Sequence, residues 1–239
     1  MLPCRGDSKM MISEITKLKR GRPPKNHSPN TDVKNIVIQS GIEMFAEKGY
    51  ISSDICKILE KVGIPKGSFY YYFGSKEKFG LVVIQHYDNF ISKQLDNYLS
   101  YTALPFPKRL LAFCHMIKSE MEKYHWQRGC LVSNLIQDIV NLPINYYKIL
   151  NNVISGWQKK VENYLLEAQK YKFISKNIDC RQMAIFFWMG WQGAIMQAKL
   201  TCSNQPLDIF ISIFMAQVFG IHYQASEYPI LFNKNTFTN

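Results

Sequence analysis

One short segment, residues 64–78, constrains the chain more than any other, because it reads as a short helix with one packed and one exposed face. Pro65 favours a helix start, since the N–H that proline lacks would be unpaired in the first turn. Phe69 and Phe73 lie four residues apart and therefore share one side of the helix. The three tyrosines at positions 70–72 cannot all face one core, so we expect at least one of them to be exposed.

The exposed side of this helix has chemistry that suits DNA. Its first turn holds Lys66, Gly67 and Ser68, and free N–H groups together with the positive end of the helix dipole favour phosphate there. An exposed tyrosine can donate its hydroxyl to a phosphate or place its ring against a thymine methyl. An ordinary amphipathic helix with surplus tyrosines is the alternative.

Two helices are predicted upstream of this segment. Apolar residues recur with a helical period between Thr31 and Gly49, where glycine marks a helix end. Ser53 is predicted to cap a second short helix, which Gly63 ends. Its inward residues are Ile55, Ile58, Leu59 and Val62. A helix, a short glycine-containing turn and another helix form the helix-turn-helix layout, whose second helix enters the major groove.

Residues 36–81 resemble the N-terminal domain of the TetR family of bacterial transcriptional regulators. The matching segments are F-A-E-K-G-Y at 45–50, D-I at 54–55 and G-I-P-K-G-S-F-Y-Y-Y-F-G-S-K-E at 63–77. One departure is the bulky pair Leu59 and Val62, where many members carry alanine. The resemblance implies an all-α homodimer that binds a palindromic operator in double-stranded DNA, usually as a repressor that a small ligand releases. The residues predicted to contact DNA are Ser53, Lys66, Gly67, Ser68, Tyr70, Tyr71, Tyr72 and Lys76.

The N-terminal segment 1–30 is predicted to be a flexible basic arm. Its first 25 residues hold seven basic and two acidic side chains. Arg20, Gly21 and Arg22 precede a proline, and this core resembles an AT-hook, which lies in the minor groove of A·T-rich DNA. Narrow A·T minor grooves attract inserted arginines. A basic tail that adds only nonspecific attraction is the alternative.

Composition agrees with a nucleic-acid partner, since the 239 residues carry a net charge of +11. We expect no secretory leader, because the first residues mix charges and lack an apolar core, and no membrane span, because no apolar run is long enough. Its six cysteines have neither metal-ligand spacing nor the pattern of a disulfide framework, which favours a cytoplasmic location. No catalytic constellation is evident, so we predict a protein that is not an enzyme and has no metal or cofactor.

The remaining chain is predicted to be helical. Ser75 is expected to cap a long fourth helix that runs to about Tyr98, and later helices are expected near 108–124, 130–141, 144–171, 180–200 and 207–223. We predict a DNA-binding domain at 31–80, an effector-binding and dimerisation domain at 81–226 and a frayed tail at 227–239. The segment 183–198 is apolar nearly all round, so it must be buried on more than one side. The resemblance places the dimer interface in the last two helices. The predicted interface residues are Trp188, Trp191, Gly193, Ile213 and Phe214; the monomer core is the alternative.

Cys130 is the candidate sensor of the effector domain. A thiol at a helix N-terminus has its pKa lowered by the dipole, and Arg128 adds to this effect if it turns toward the sulfur. Residues 129–135 and 188–200 resemble the corresponding segments of regulators of the N-ethylmaleimide reductase operon, in which a cysteine thiol can respond to electrophiles. That resemblance makes Lys199 a second cationic partner, and Trp126 and Trp157 are candidates for lining a pocket.

Three alternatives stay open at this point, one to the sensor role of Cys130 and two to an effector-responsive repressor. Cys130 suits a packing role as a small buried residue. The chain also suits an architectural DNA-binding protein without an effector, or a stand-alone helical protein that binds electrophiles.

Overall fold

A computed structural model describes residues 29–221, with side chains from Val33 onward. All regular structure in this range is helical, which confirms the predicted all-α fold. The predicted basic arm with Arg20, Gly21 and Arg22 lies outside the described residues, apart from its last two positions, and so does the tail 227–239. Those last two positions are helical, because α1 begins at Pro29, two residues earlier than predicted.

The helices in the described range follow the predicted order. They are α1 (Pro29–Lys48), α2 (Ile55–Val62), α3 (Lys66–Phe73), α4 (Lys76–Leu99), α5 (Phe106–Lys123), α6 (Leu131–Gln137), α7 (Ile144–Lys170), α8 (Cys180–Thr201) and α9 (Gln205–Phe219). A short 3-10 turn at Ile139–Asn141 follows α6, so this segment is less regular than the single helix predicted at 130–141. Gly220 has a φ of 65° and ends α9 four residues before the predicted limit.

Local capping explains where the N-terminal helices begin and end. Gly63 takes a φ of 67° and ends α2 as predicted. Ser75 accepts a hydrogen bond from the backbone N–H of Lys78 at 3.1 Å and caps α4, also as predicted. The prediction that Ser53 caps α2 is wrong. Asp54 caps it instead, and its carboxylate accepts from the N–H of Cys56 at 2.8 Å.

Helices α1 to α3 form an N-terminal bundle around the ring of Phe79, which belongs to the first turn of α4. Ring centroids lie 4.8 Å away for Phe73, 5.1 Å for Phe69 and 6.1 Å for Phe45. A Cβ at Gly41 would stand 2.4 Å from Cζ of Phe79, so only glycine lets α1 approach this ring so closely. The buried phenylalanines of α3 therefore fix that helix against α4.

Helices α4 to α9 form a larger C-terminal bundle, and α8 packs between α7 and α9. The prediction that Trp188, Trp191 and Phe214 lie at a dimer interface is contradicted, because all three side chains are buried within one chain. The rings of Trp157 and Trp188 meet at 4.9 Å, and Phe187 lies 5.1 Å from Phe214. Because α8 is apolar on two faces, its sequence alone did not show which face is internal.

The outward face of α8 and α9 is also apolar. Gly193 has open space above it, and Ile213 is exposed, so these two predicted interface residues do lie on the surface. The other exposed apolar side chains on this face are Phe186, Met189, Met196, Leu200 and Ile209. On α8 these residues, with Gly193 among them, recur every three or four residues, which gives one continuous stripe.

Tyr146 of α7 joins the two bundles. Its hydroxyl donates to the backbone carbonyl of Glu77 at 3.0 Å, and its ring lies 5.2 Å from that of Tyr50. A Cβ at Gly80 would stand 1.9 Å from the Tyr146 hydroxyl oxygen, so glycine is required for this contact.

We expect Gly80→Ala to lower the free energy of unfolding by about 1–3 kcal/mol, because overpacking displaces Tyr146. Adding Tyr146→Phe removes the clashing hydroxyl and should restore part of that loss. Gly156→Ala is the matched control, since that helical glycine has no atom near its absent Cβ. Denaturant unfolding at one fixed protein concentration measures all four proteins. Equal stabilities of the Gly80→Ala and Gly156→Ala variants would contradict the contact.

Candidate nucleic-acid interface and internal cavity

The helix α3 presents a polar and aromatic face to solvent. Phe69 and Phe73 are buried, and this leaves Tyr70 at 49% and Tyr71 at 79% exposure. Lys66 and Gly67 in the first turn are exposed, Ser68 and Tyr72 are partly exposed. The predicted set from Lys66 to Tyr72 is thus brought together on one accessible helix.

Two other predicted contact residues have internal roles. Ser53 is only 2% exposed, and its hydroxyl donates to the carbonyl of Gly49, so it is withdrawn from the predicted DNA-contacting surface. The ammonium of Lys76 donates to the carbonyl of Ser53 at 2.6 Å and lies 4.6 Å from the ring centre of Tyr50. Burial lowers the pKa of Lys76. These contacts hold the loop before α2 against the start of α4.

Sequence reasoning missed one basic residue beside α3. Lys34 of α1 is exposed, and its ammonium lies 6.0 Å from the ring centre of Phe73 at the end of α3. No local signal marks it, because it lies almost forty residues upstream and approaches α3 only through the packing of α1.

A cavity of about 300 Å³ lies where α1, α4, α5, α7 and α8 meet. Its wall is largely apolar and includes the aromatic side chains Tyr87, Phe90, Phe113, Tyr124, Trp157, Trp188 and Trp191. Polar side chains also line it, among them Glu43, His86, Glu120 and Arg128. A concave apolar site with a few polar groups has the character of a small-molecule site.

Of the two tryptophans predicted to line a pocket, one does. Trp157 lines the cavity, and its indole N–H donates to Asp88 at 2.8 Å. Trp126 is not among the lining residues, which contradicts its assignment. Its indole N–H donates to Oδ1 of Asn204 at 3.3 Å, because a turn with positive φ at His125 and Trp126 redirects the chain after α5.

Cys130 lines the cavity, is 8% exposed and directly precedes α6. The hydroxyl of Tyr87 lies beside its thiol, and the backbone N–H of Leu131 lies near the same hydroxyl. Burial raises the pKa of Tyr87 well above its usual value, and Cys130 adds to that rise. Tyr87 therefore keeps its proton and can donate it in a hydrogen bond to the sulfur. No sequence motif indicates this partner on α4.

The two cations predicted to support Cys130 are directed elsewhere. The guanidinium of Arg128 pairs with Glu47 at 2.9 Å and Glu43 at 3.4 Å, rather than turning to the sulfur. The ammonium of Lys199 donates to the carbonyl of Glu47 at 3.3 Å, and burial lowers its pKa. The predicted role of Arg128 and Lys199 is therefore corrected. Both side chains bind α1, and Tyr87 lies beside the thiol instead.

Within residues 29–221, no helix is long and apolar enough to cross a membrane. The same range holds no group of three or more His, Cys, Asp or Glu side chains arranged to bind a metal ion.

Known proteins share both parts of this arrangement. Residues 37–80 match the family described as "Bacterial regulatory proteins, tetR family", and residues 107–214 match "Tetracyclin repressor-like, C-terminal domain". The transcriptional regulator AcuR of Cereibacter sphaeroides is 36% identical over 208 residues, which cover 87% of this chain and 92% of AcuR. The repressor NemR of Escherichia coli K12 is 22% identical over 183 residues, covering 77% of this chain and 92% of NemR.

A solved structure agrees with the sequence comparisons. The crystal structure of a regulatory protein TetR from Rhodobacter sphaeroides has a TM-score of 0.75 and 36% identity, and the match covers 77% of this chain and 97% of that one. With an exposed α3, a helical C-terminal bundle and these relatives, the chain belongs to the TetR family of bacterial transcriptional regulators.

Proposed function

We propose that this chain acts in the cytoplasm as a homodimeric repressor that binds a palindromic operator through α3 and is released by an effector in the cavity. The observation that carries the proposal is the exposure of Tyr70 and Tyr71 on a helix fixed by buried phenylalanines. Such a helix can enter a major groove without unfolding its own bundle.

The composition of α3 suggests how DNA is read. Lys66 is the one side chain of α3 among the types that read guanine and adenine edges through paired hydrogen bonds, since the helix holds no Arg, Asn or Gln. Lys66, Ser68 and the tyrosine hydroxyls suit phosphates, while the rings of Tyr70 and Tyr71 suit thymine methyls. Lys34 supplies a further phosphate contact. The arginines at positions 20 and 22 are proposed to bind in the flanking minor groove.

The outward stripe of α8 and α9 supports a dimer. Apolar side chains on this scale are costly to leave in water, and a two-fold axis lets the same stripe cover itself. Gly193 lets the two helices approach, and Ile213 contributes from α9. The dimer then sets the spacing of two α3 helices, which must match half-sites roughly 34–36 Å apart.

The cavity supports an effector-responsive protein over a purely architectural one, whose C-terminal bundle needs no internal space. Its volume of about 300 Å³ suits a small molecule. An occupant releases DNA only if it binds the DNA-incompetent dimer more tightly than the DNA-bound one. Cys130 in the wall favours a reactive electrophile as one class of effector.

Selection of bound DNA from a random pool is the direct test, and we expect a palindrome with A·T-rich half-sites. Lys66→Ala should weaken operator binding and reduce the salt slope by about 0.9 per lost phosphate contact. Tyr71→Ala should weaken it with a smaller change of slope. Lys176→Ala and Tyr171→Ala are matched exposed controls on the C-terminal bundle. No enriched sequence, or equal losses in the controls, would remove the DNA-reading role from α3.

The effector side is tested with N-ethylmaleimide, whose alkene carbon bonds to the sulfur while the neighbouring carbon takes a proton. We expect it to modify Cys130 and weaken operator binding, and Cys130→Ser to bind the operator but lose this response. Tyr87→Phe should slow the reaction, because the thiolate loses its hydrogen-bond donor.

Two other cysteines serve as controls in this experiment. Cys114 should react slowly, because burial strongly raises its pKa. Cys56 is partly exposed on α2, so the assays are repeated in Cys56→Ser to exclude its adduct as the cause of release. Peptide mass spectrometry assigns each adduct, and electrophoretic shifts report DNA. If N-ethylmaleimide releases operator DNA from Cys130→Ser as fully as from the parent protein, Cys130 is not the sensor. The effector of the cavity would then be a reversible ligand.

A further inference from the structure

The C-terminal end of α1 is held by groups from the C-terminal bundle. The backbone N–H of Gly129 donates to the carbonyl of Ala46 at 3.2 Å. The amide of Asn134 donates to the carbonyls of Ala46 at 2.8 Å and Phe45 at 3.1 Å. Lys199 donates to the next carbonyl, that of Glu47. The last carbonyls of a helix lack partners within the helix, so these donors complete the end of α1.

Ion pairs reinforce the same contact. Arg128 pairs with Glu47 and Glu43 of α1, and its guanidinium carbon lies 3.7 Å from the ring centre of Tyr124. Glu43 in turn pairs with Lys61 of α2. A chain of charges therefore runs from the segment before α6, across α1, to the first helix of the helix-turn-helix. We call the donors Arg128, Gly129, Asn134 and Lys199 the α1 clamp.

The clamp and the cavity share a wall. Glu43 and Ala46 of α1 line the cavity, and so do Arg128, Gly129 and Cys130 of the segment before α6. The N–H of Gly129 and the carbonyl of Ala46 that bond across this seam thus belong to two adjacent lining residues. A molecule that needs more room beside Cys130 presses on the contact that completes α1.

We infer that the α1 clamp transmits the state of the cavity to the DNA-binding helices. This inference rests on the proposed function and adds the route by which it is regulated. When an occupant displaces residues 128–130, the end of α1 must follow or lose its hydrogen bonds. Because α1 leads through Gly49 into α2 and packs on Phe79 beside α3, its movement changes the position of α3.

The alternative is that α4 couples the cavity to the DNA-binding helices. This helix also lines the cavity, at Tyr87 and Ile91, and it begins in the N-terminal bundle. The two routes can be distinguished because the coupling between two binding sites is reciprocal. If the adduct at Cys130 opposes DNA binding, then operator DNA must oppose formation of the adduct. Removing the clamp should abolish this dependence only if the clamp carries the coupling.

The experiment measures the rate at which N-ethylmaleimide modifies Cys130 in the full-length protein, with and without saturating operator DNA, by peptide mass spectrometry. In the parent protein we expect operator to slow the reaction by about fivefold or more, the lower range of typical coupling. In Glu47→Gln and in Asn134→Ala the ratio should approach one. Neither of these residues lines the cavity, so the rate without DNA should stay close to that of the parent.

Lys118→Gln is the control, because Lys118 pairs with Asp208 at 2.8 Å within the C-terminal bundle and away from α1. It should keep the parent ratio. A parent ratio of one with specific operator binding overturns the clamp and leaves the DNA-binding function intact. A full ratio in both clamp variants assigns the coupling to α4 and also overturns it. If no operator is bound at all, the proposed function itself fails.

Discussion

The contact of Phe79 with α1 and α3 is the constraint on which the rest of the structure depends. This ring stands in the first turn of α4 and packs against Phe45, Phe69 and Phe73, and Gly41 supplies the space that it occupies. Since α4 is 24 residues long and continues into the C-terminal bundle, the same helix anchors both halves of the molecule. The outward direction of the α3 tyrosines follows from this packing, because the phenylalanines on the other side of α3 are committed to it.

The position of the cavity depends on the same packing of α1 and α4. α1 and α4 both line the cavity, and α5, α7 and α8 complete its wall around Trp157 and Trp188. The site is therefore walled on one side by a helix that belongs to the DNA-binding bundle. A small displacement at this seam is applied directly to α1, because packed helices shift as units rather than deform continuously. This geometry makes a short path between effector and DNA.

The sequence was sufficient where the signal is local. Gly63 and Ser75 were assigned correctly, since a left-handed residue and a side-chain cap depend on their own backbone. Adjacent Ser53 and Asp54 can both cap a helix, and the choice depends on the preceding turn, in which the carbonyl of Gly49 accepts a hydrogen bond from the serine hydroxyl. Trp188 and Trp191 were misplaced because α8 is apolar on both faces, and only packing between α7 and α9 distinguishes them. The partners of Arg128 lie on α1, more than eighty residues away, so no spacing rule predicts them.

The central claim is that α1 couples the cavity to the DNA-binding surface. Hydrogen exchange at the Gly129 amide tests it most directly, because this N–H bonds to the carbonyl of Ala46 across the seam. It is measured by NMR on the free protein and on its complex with a selected operator. We predict that operator binding slows exchange at Gly129 together with the amides of the last turn of α1. Protection confined to α3 and its immediate neighbours, with Gly129 unchanged, would contradict the account.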